Sequence, residues 1–550
     1  MRRWLALVAF LLPVSVGGEA VQAEPRQMVA AAHPLAVEAG LDVLKRGGSA
    51  IDAAVAVQMM LGVVEPHASG IGGGGFLLYY DAWTRNITVY DGRETAPMHA
   101  TPGMFLDAAG QPLPYFDAVA SGMSVGVPGV VALLEMAHKE HGKLPWADLF
   151  GVSIAAARDG FAVSPRLAAW LGIIKGFRED YAARAIYFNA DGSPKKQGDR
   201  IANPALADTM QRIAAEGAPV LQEGPIAEEM VARVRGNKRP GTLALSDLAA
   251  YRAIKREPVC GPYRVWIVCG MPPPSSGGIA VLQMLGLLEP FDLARDKPDD
   301  PRALHLIAEA GRLAFADRAR YIADPAFVPV PTETLISPAY IAERRKLISE
   351  SRSMGEQGGP IAPGYIERGT SHMTIVDRAG NAVAFTTTIE APFGAHMIVG
   401  GFILNNELTD FSPLFESDGK PVANRVEPGK RPRSSMSPTI VLDRDRKLVL
   451  GVGSAGGQRI VGDTFHALVG MLDWNLSPQA ALDLPRVANM NGPTELEDKG
   501  TLPAQADALR KLGHQVQVRR HEGGLTAIRR SGDGWEGGAD PRRDGAAKGD

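Results

Sequence analysis

The sequence has no excess of charge of either sign. Its 58 lysines and arginines face 61 aspartates and glutamates, which gives a formal net charge of −3. Nucleic acid is therefore not an expected partner, because binding to phosphates needs a cationic surface. Glycine and proline, 62 and 41 of 550 residues, make up under a fifth of the chain. With 45% hydrophobic residues, this excludes disordered, collagen-like and coiled-coil proteins. We expect a globular protein with a small ligand, built as three or four domains of about 150 residues or as one large unit.

The sequence also lacks an apolar run long enough to span a membrane. Its longest candidate, residues 4–16, follows Arg2 and Arg3 and is far shorter than the roughly 20 residues of a spanning helix. The small-residue site at 21–23 completes the pattern of a secretory signal peptide. We therefore predict a signal peptide over residues 1–23, a mature chain from Glu24, no membrane span, and a periplasmic or secreted location.

Cysteine is scarce, with two residues in the whole chain. Cys260 and Cys269 flank a short predicted hairpin, and an oxidising compartment permits a disulfide between them. Two separate buried thiols are the alternative. The sequence leaves both open, because it does not determine the register of the hairpin.

Two glycine-rich strings match the dinucleotide-binding pattern G-x-G-x-x-G without its context. The string at 70–75 precedes a predicted strand, where a dinucleotide site needs a helix. The string at 451–456 has a strand before it and a predicted helix, 460–472, after it, but the second strand of the βαβ unit is missing. We interpret this second string as an anion-binding turn at a helix N-terminus. No cofactor is expected.

Two other patterns also fail on context. The string at 122–126 reads G-x-S-x-G, but residues 117–121 make a poor strand and Pro128 delays the helix that a serine-hydrolase elbow requires. His138 and His141 are three residues apart on a predicted helix and lack the glutamate and the i, i+4 spacing of a zinc motif. We interpret them as a solvated helix face and expect no metal site.

The order of predicted elements changes along the chain. Apolar residues at Ala36, Ala39, Gly40, Val43 and Leu44 have helical periodicity, and a capping box from Ser49 to Asp52 predicts a second, alanine-rich helix. Strands are predicted at 76–80 and 87–90, followed by a mostly helical middle from about 128 to 347. After a polar stretch, 351–369, short strands are predicted at 373–377, 382–389, 402–405, 439–442 and 448–452. A boundary therefore falls near residue 370.

Thr370 directly follows this boundary and carries a possible nucleophile. A threonine hydroxyl is weakly nucleophilic unless a base lies beside it, and a free α-amino group on the same residue can be that base. The amine, with an ordinary pKa near 8, is partly neutral at pH 7. This chemistry requires cleavage of the Gly369-Thr370 bond, and glycine leaves the scissile carbonyl sterically open. An ordinary strand start is the alternative.

Several longer strings favour the nucleophile, because the sequence resembles the γ-glutamyltranspeptidase family of threonine N-terminal-nucleophile hydrolases over nearly the whole mature chain. The matching strings, in the family's order, are SGIGGGGF at 69–76, DGRE at 91–94, MPPPSSGG at 271–278, LNNE at 404–407, RPRSSMSPT at 431–439 and GSAGG at 453–457.

The resemblance implies a role for particular residues. Thr370 matches the nucleophile, and Thr388 the threonine whose hydroxyl holds it in place. Gly456 and Gly457 match the pair whose backbone N–H groups form an oxyanion hole.

The same resemblance implies a pocket for the γ-glutamyl group. Its α-carboxylate would meet Arg93 together with the hydroxyls of Ser434 and Ser435. Its α-ammonium would meet Glu407 and Asp410.

Two departures from the family pattern affect the expected activity. Glu390 stands where typical members have asparagine beside the amine pocket, and its added charge should favour an ammonium and repel a carboxylate. The segment 411–430 is shorter than in members with a full lid and contains no tyrosine. An open cleft would admit water and bulky acyl donors.

The resemblance implies an α+β fold, a four-layer αββα sandwich. It also implies a precursor that cleaves itself into a large subunit, 24–369, and a small subunit, 370–550, which together form one domain. The expected activity is an exported γ-glutamyltransferase or glutathione hydrolase that acts on glutathione or other γ-glutamyl compounds, with water or amino acids and peptides as acceptor. Hydrolysis is expected to exceed transfer. The alternatives are a glutaryl-cephalosporin acylase or related side-chain amidase and, outside enzymes, a secreted solute-binding protein without processing.

Overall fold

A computed structural model describes residues 25–357 and 369–550 of the chain. The predicted signal peptide lies outside the described residues. In the part of the chain that is described, no helix combines the length and the apolar character needed to span a membrane. The helices are α1 Pro34–Lys45, α2 Ala50–Val64, α3 Tyr115–Val119, α4 Val130–His141, α5 Gly151–Asp159, α6 Pro165–Ile173, α7 Tyr181–Tyr187, α8 Pro204–Glu216, α9 Pro219–Gln222, α10 Gly224–Arg235, α11 Leu245–Ala250, α12 Gly277–Leu288, α13 Pro301–Tyr321, α14 Thr332–Leu335, α15 Pro338–Arg345, α16 Arg459–Leu472, α17 Pro478–Asp483 and α18 Leu502–Lys511.

The strands are mostly short and occur on both sides of residue 370. They are β1 Met28–Ala31, β2 Gly74–Asp81, β3 Asn86–Asp91, β4 Phe161–Ala162, β5 Arg200–Ile201, β6 Ile254–Arg256, β7 Val259–Tyr263, β8 Trp266–Gly270, β9 Ser371–Val376, β10 Ala382–Thr388, β11 Ile398–Val399, β12 Phe402–Ile403, β13 Glu416–Ser417, β14 Lys420–Pro421, β15 Thr439–Leu442, β16 Leu448–Gly453, β17 Val487–Asn489, β18 Thr494–Glu497, β19 Val516–Arg519, β20 Thr526–Ser531, β21 Gly534–Ala539 and β22 Ala546–Gly549.

Two large sheets organise the molecule. The first has the strand order β22-β1-β9-β10-β2-β3-β6, and the second has the order β21-β20-β16-β15-β8-β7. Both sheets combine strands from before and after residue 370. The two predicted subunits therefore contribute to the same two sheets.

The sheets lie face to face between two layers of helices, which confirms the predicted αββα sandwich. Alternate residues of each strand point to opposite faces. In β2, Phe76 and Leu78 join a core cluster between the sheets, whereas Leu77 and Tyr79 pack with α1 and α2. In β15, Ile440 faces the other sheet and Val441 packs with α12, α13 and α16.

Local sequence signals explain the first two helices. Pro34 occupies the first turn of α1, and the His33 ring accepts a hydrogen bond from the Leu35 N–H. The predicted capping box at α2 is present, with Ser49 and Asp52 each bonded to the other's backbone N–H. Every residue of α2 is buried, because small side chains allow the helix to pack closely on all sides.

The two cysteines lie opposite one another in the β7–β8 hairpin. The register pairs Cys260 with Cys269, and their sulfurs are bonded. The structure therefore has the disulfide, which was one of the two alternatives for these cysteines in the sequence analysis.

The two rejected motifs have structural roles. Ser124 of the G-x-S-x-G string is buried and donates its hydroxyl to the backbone of Val119 and Ser121, so it is no exposed nucleophile. The prediction of a solvated face for His138 and His141 is wrong, because both are half-buried. The His141 ring stacks on Tyr79, with ring centroids 3.9 Å apart. His138 lies 3.4 Å from the Asp52 carboxylate.

Candidate active site

Two threonine hydroxyls meet at one end of the first sheet. Thr370 directly precedes β9, and Thr388 is the last residue of β10. Because the antiparallel register pairs Ser371 with Thr387, the two ends are neighbours. The Thr370 and Thr388 Oγ1 atoms lie 3.0 Å apart.

The backbone of Thr370 has an unusual conformation. Its φ is +82°, a region that β-branched residues rarely adopt. The strain is held by a hydrogen bond from the Thr370 N–H to the Ala68 carbonyl, at 2.9 Å. Thr370 is 5% exposed, so the residue is buried. Strained backbone of this kind is concentrated at functional sites.

Glu390 joins the threonine pair to a polar cluster. Its backbone N–H donates to Thr388 Oγ1 at 2.8 Å. Its buried carboxyl accepts hydrogen bonds from the Tyr115 hydroxyl, at 3.0 Å, and from the Asn406 amide. Burial, followed by the nearby Asp410 and Glu407, raises the pKa of this carboxyl well above its usual range. The folded protein therefore disfavours the negative charge that the sequence suggested at this position.

Arg93 lies at the centre of a second cluster. Its two terminal nitrogens donate to the carboxylates of Glu407 and Asp410. Nη2 also donates to the Arg433 carbonyl at 2.9 Å, and Nε to the Pro432 carbonyl at 3.2 Å. The structure thus brings these three predicted binding residues together, although the guanidinium already pairs with both acids. Burial and Asp410 raise the pKa of Glu407 to about 8, against the opposing effect of Arg93.

A fourth carboxyl, Glu94, was missed by the sequence analysis. It is fully buried, and neither of its oxygens has a hydrogen-bond partner among the described residues. Burial and the charge of Glu407 raise its pKa well above the ordinary value. Its position directly after Arg93 in the DGRE string was the available signal.

Ser434 and Ser435 follow the carbonyl groups that hold Arg93. The Ser276 hydroxyl and N–H both donate to the Ser434 carbonyl, so the MPPPSSGG string supports this segment. Ser435 Oγ accepts a hydrogen bond of 2.7 Å from Arg318. Arg318, on α13, is a second residue near the site that the sequence analysis missed.

The glycine turn at 453–457 links the second sheet to the threonine end of the first. A Cβ added to Gly453 would lie 2.3 Å from the His372 ring, so the sheets approach closely at this point. Gly456 and Gly457 have φ values of +124° and +65°. Neither of their N–H groups has an acceptor among the described residues. Two unpaired N–H groups before a helix can stabilise an oxyanion.

The described residues therefore place a strained threonine beside a second hydroxyl, near a cluster of one arginine with several acids. A family model described as Gamma-glutamyltranspeptidase matches residues 36–550. The chain belongs to the γ-glutamyltranspeptidase family. A glutathione hydrolase proenzyme of Bacillus subtilis (strain 168) is 38% identical over 543 residues, covering 95% of this chain and 91% of that protein. The corresponding proenzyme of Escherichia coli (strain K12) is 37% identical and covers 96% and 93%.

A solved structure of a similar protein shares the fold. A cephalosporin acylase from Bacillus halodurans superposes with a TM-score of 0.84 at 30% identity, covering 98% of this chain and 99% of that one. This match in architecture agrees with the αββα sandwich described above.

Three further residues of the site were missed by the sequence analysis. Tyr115 and Asn406 hold the Glu390 carboxyl, and Arg543 donates to the Thr370 carbonyl at 2.7 Å. Asn406 lies within the LNNE string, which was a usable signal. Tyr115 and Arg543 are distant in sequence from the threonines, and only the folded chain brings them to the site.

Proposed function

We propose that Thr370 is the nucleophile of an acyl-transfer enzyme and that the precursor cleaves itself between Gly369 and Thr370. The observation that carries this proposal is the 3.0 Å contact between the Thr370 and Thr388 hydroxyls at a strained, buried backbone position. In the precursor, Thr370 Oγ1 attacks the Gly369 carbonyl, and the Gly369-Thr370 amide becomes an ester. Water then hydrolyses the ester, which leaves a carboxyl on Gly369 and a free amine on Thr370.

In the mature enzyme, this amine takes the proton of the Thr370 hydroxyl as the hydroxyl attacks the substrate amide. The N–H groups of Gly456 and Gly457 stabilise the oxyanion. The amine then returns the proton to the leaving nitrogen, and the acyl group remains on Thr370 Oγ1. Thr388 can support each step, because the Glu390 N–H occupies one lone pair of its oxygen and leaves the hydroxyl hydrogen available to Thr370.

The proposed donor is a γ-glutamyl amide, such as glutathione. Glu407 and Asp410 offer carboxyl oxygens to its ammonium, while Arg93 and the serine segment offer donors to its carboxylate. Binding requires the ion pairs of Arg93 to be shared with the substrate. Water is the proposed main acceptor and amino acids or peptides the minor one, in a periplasmic or secreted enzyme.

Replacement of the nucleophile tests this proposal. Thr370→Ala should remain a single chain on a denaturing gel and should not release nitroaniline from a γ-glutamyl anilide. Thr374→Val is the matched control, because it removes a buried hydroxyl from the same strand and should leave processing intact. Two chains in Thr370→Ala would contradict the mechanism.

One observation favours a second candidate, a glutaryl-cephalosporin acylase or related amidase. Arg93 already contacts both Glu407 and Asp410. An acyl group without an ammonium would therefore not leave these two acids unpaired. Similarity to the Bacillus halodurans acylase points the same way. Comparison of kcat/KM for a γ-glutamyl anilide and a glutaryl anilide separates the two. The γ-glutamyl proposal requires the γ-glutamyl anilide to be the better substrate.

A further inference from the structure

A buried arginine from the end of the chain contacts the proposed nucleophile. Arg543 lies between β21 and β22 and donates from Nη1 to the Thr370 carbonyl at 2.7 Å. Its Nη2 donates to the Glu522 carbonyl at 3.3 Å. The same Glu522 carbonyl lies 3.6 Å from where a Cβ on Gly456 would be. Arg543 therefore bridges Thr370 and the segment that packs against the glycine turn at 453–457.

The charge of Arg543 is not neutralised by a direct contact. Its guanidinium forms no ion pair with a carboxylate in the described ranges, and it donates hydrogen bonds to two carbonyl oxygens. Burial and the nearby Arg166 lower the pKa of the guanidinium to about 9. It therefore remains a cation at neutral pH.

The groups around this cation only partly offset it. Glu65 accepts a hydrogen bond from the Ser371 hydroxyl at 2.9 Å, and burial raises its pKa, which weakens it as a counter-charge. Burial lowers the pKa of His67 well below the usual value, so this ring is neutral. The Asp540 carboxylate is paired with Arg486 and Arg542. The other charged or titratable groups that act on this region are Arg166, His33, Glu522 and Asp544.

We propose that Arg543 is a positioning residue for Thr370 and that its charge keeps the α-amino group of processed Thr370 unprotonated near neutral pH. This inference rests on the proposed function, in which that amine is the general base. Only the carbonyl carbon and Cα separate the Thr370 carbonyl oxygen from the amine nitrogen. A cation on the oxygen disfavours a second positive charge on the nitrogen, so it lowers the pKa of the amine from its ordinary value near 8. The neutral amine is the form that accepts the hydroxyl proton.

The acid limb of the pH profile tests this role. Log kcat/KM for a γ-glutamyl anilide should fall at low pH as the amine becomes protonated. In Arg543→Gln the amine pKa rises, so the limb should move to higher pH by about one unit or more, the shift expected from a charge at this distance. Below the limb this is about a tenfold loss of kcat/KM, while kcat/KM on the alkaline plateau changes less.

Two variants separate the charge from a structural effect. Arg264→Gln removes a half-buried guanidinium that pairs with Asp473, away from Arg543, and should lower the melting temperature without moving the limb. Arg543→Lys retains a cation on a shorter side chain and should move the limb by less than Arg543→Gln. If the Arg543→Gln precursor does not cleave itself, the acid limb of Arg543→Lys is compared with that of wild type instead.

An unmoved limb in both Arg543 variants would overturn the inference, even if their stability falls. That outcome leaves the proposed function intact. An active Thr370→Ala, by contrast, would overturn the proposed function itself.

Discussion

The carbonyl oxygen of Glu390 occupies the space where a side chain at residue 369 would lie. A Cβ built on Gly369 is 2.0 Å from this oxygen, far inside van der Waals contact. The N–H of the same residue donates to Thr388 Oγ1. Glu390 therefore fixes both the residue before the proposed scissile bond and the hydroxyl that supports the nucleophile. Its own φ is +75°, a region that residues other than glycine rarely adopt.

Gly369→Ala should impair processing for this reason. The added methyl must displace the Glu390 backbone, at a cost of about 1–3 kcal/mol for overpacking, and this displacement moves the support of Thr388. We expect the precursor to persist on a denaturing gel. Gly172→Ala is the control, because a Cβ at Gly172 meets nothing within 4 Å. Equal processing of both variants would show that the close contact is unimportant.

Glu390→Gln should stabilise the protein at alkaline pH. The folded state raises the pKa of this carboxyl above the ordinary 4.5. The wild type therefore loses stability as pH rises from 4.5 towards the folded pKa, because the unfolded chain ionises first. We expect the melting temperature of the variant to exceed that of wild type by about 2 °C or more at pH 8 and to equal it near pH 4.5.

Glu416→Gln provides the comparison for that experiment. Glu416 is exposed on the β13–β14 hairpin, so its replacement should leave the difference in melting temperature independent of pH. A pH-independent difference for Glu390→Gln as well would refute the pKa argument.

Arg93→Lys should lower kcat/KM for the γ-glutamyl anilide about 10- to 100-fold. A lysine presents one point charge and cannot bridge Glu407 and Asp410 as the arginine fork does. Each charged hydrogen bond lost costs about 1.5–3 kcal/mol. Arg256→Lys is the control, because Arg256 contacts Asp91 through Nε alone in a salt bridge of 2.7 Å, which an ammonium can replace. An unchanged kcat/KM in Arg93→Lys would contradict the assignment of Arg93 to the substrate-binding site.

The fold and several residues of the candidate site could be predicted from the sequence for identifiable reasons. Strand alternation and helix capping are local, so elements such as α2, β2 and β10 were predictable. Arg93 was found because it lies in a string shared with the family, and Thr370 because it directly follows the boundary near residue 370 and matches the family's nucleophile. The contacts of Arg543 and Tyr115 depend on the tertiary fold, and no local pattern marks them. The tail after Gly532 has little apolar content, yet it forms β21 and β22 at the edges of both large sheets.

The pairing of Arg93 with Glu407 and Asp410 was also not predictable. The sequence analysis assigned Arg93 to the α-carboxylate of a substrate, and Glu407 and Asp410 to its α-ammonium. The positions of the chain that bear them are more than 300 residues apart, so their direct contact follows only from the packing of β3 and the segment after β12.

Hydrolysis should outrun transfer in this enzyme. Residues 414–421 of the shortened segment are exposed, and an exposed hairpin cannot exclude water from the acyl-enzyme as a closed lid does. Saturating glycylglycine should therefore raise total turnover only slightly, with free glutamate as the main product by chromatography. A product mixture dominated by the γ-glutamyl peptide at neutral pH would mean that another segment shields the acyl-enzyme.

Mass spectrometry of the small chain tests the central claim most directly. The protein is mixed with a γ-glutamyl anilide, quenched in acid within the first turnover, and digested. The account predicts a small chain that begins at Thr370 and a fraction of its N-terminal peptide that carries one γ-glutamyl group on the Thr370 hydroxyl. A small chain with a different first residue, or an acyl group on any other side chain, would contradict it.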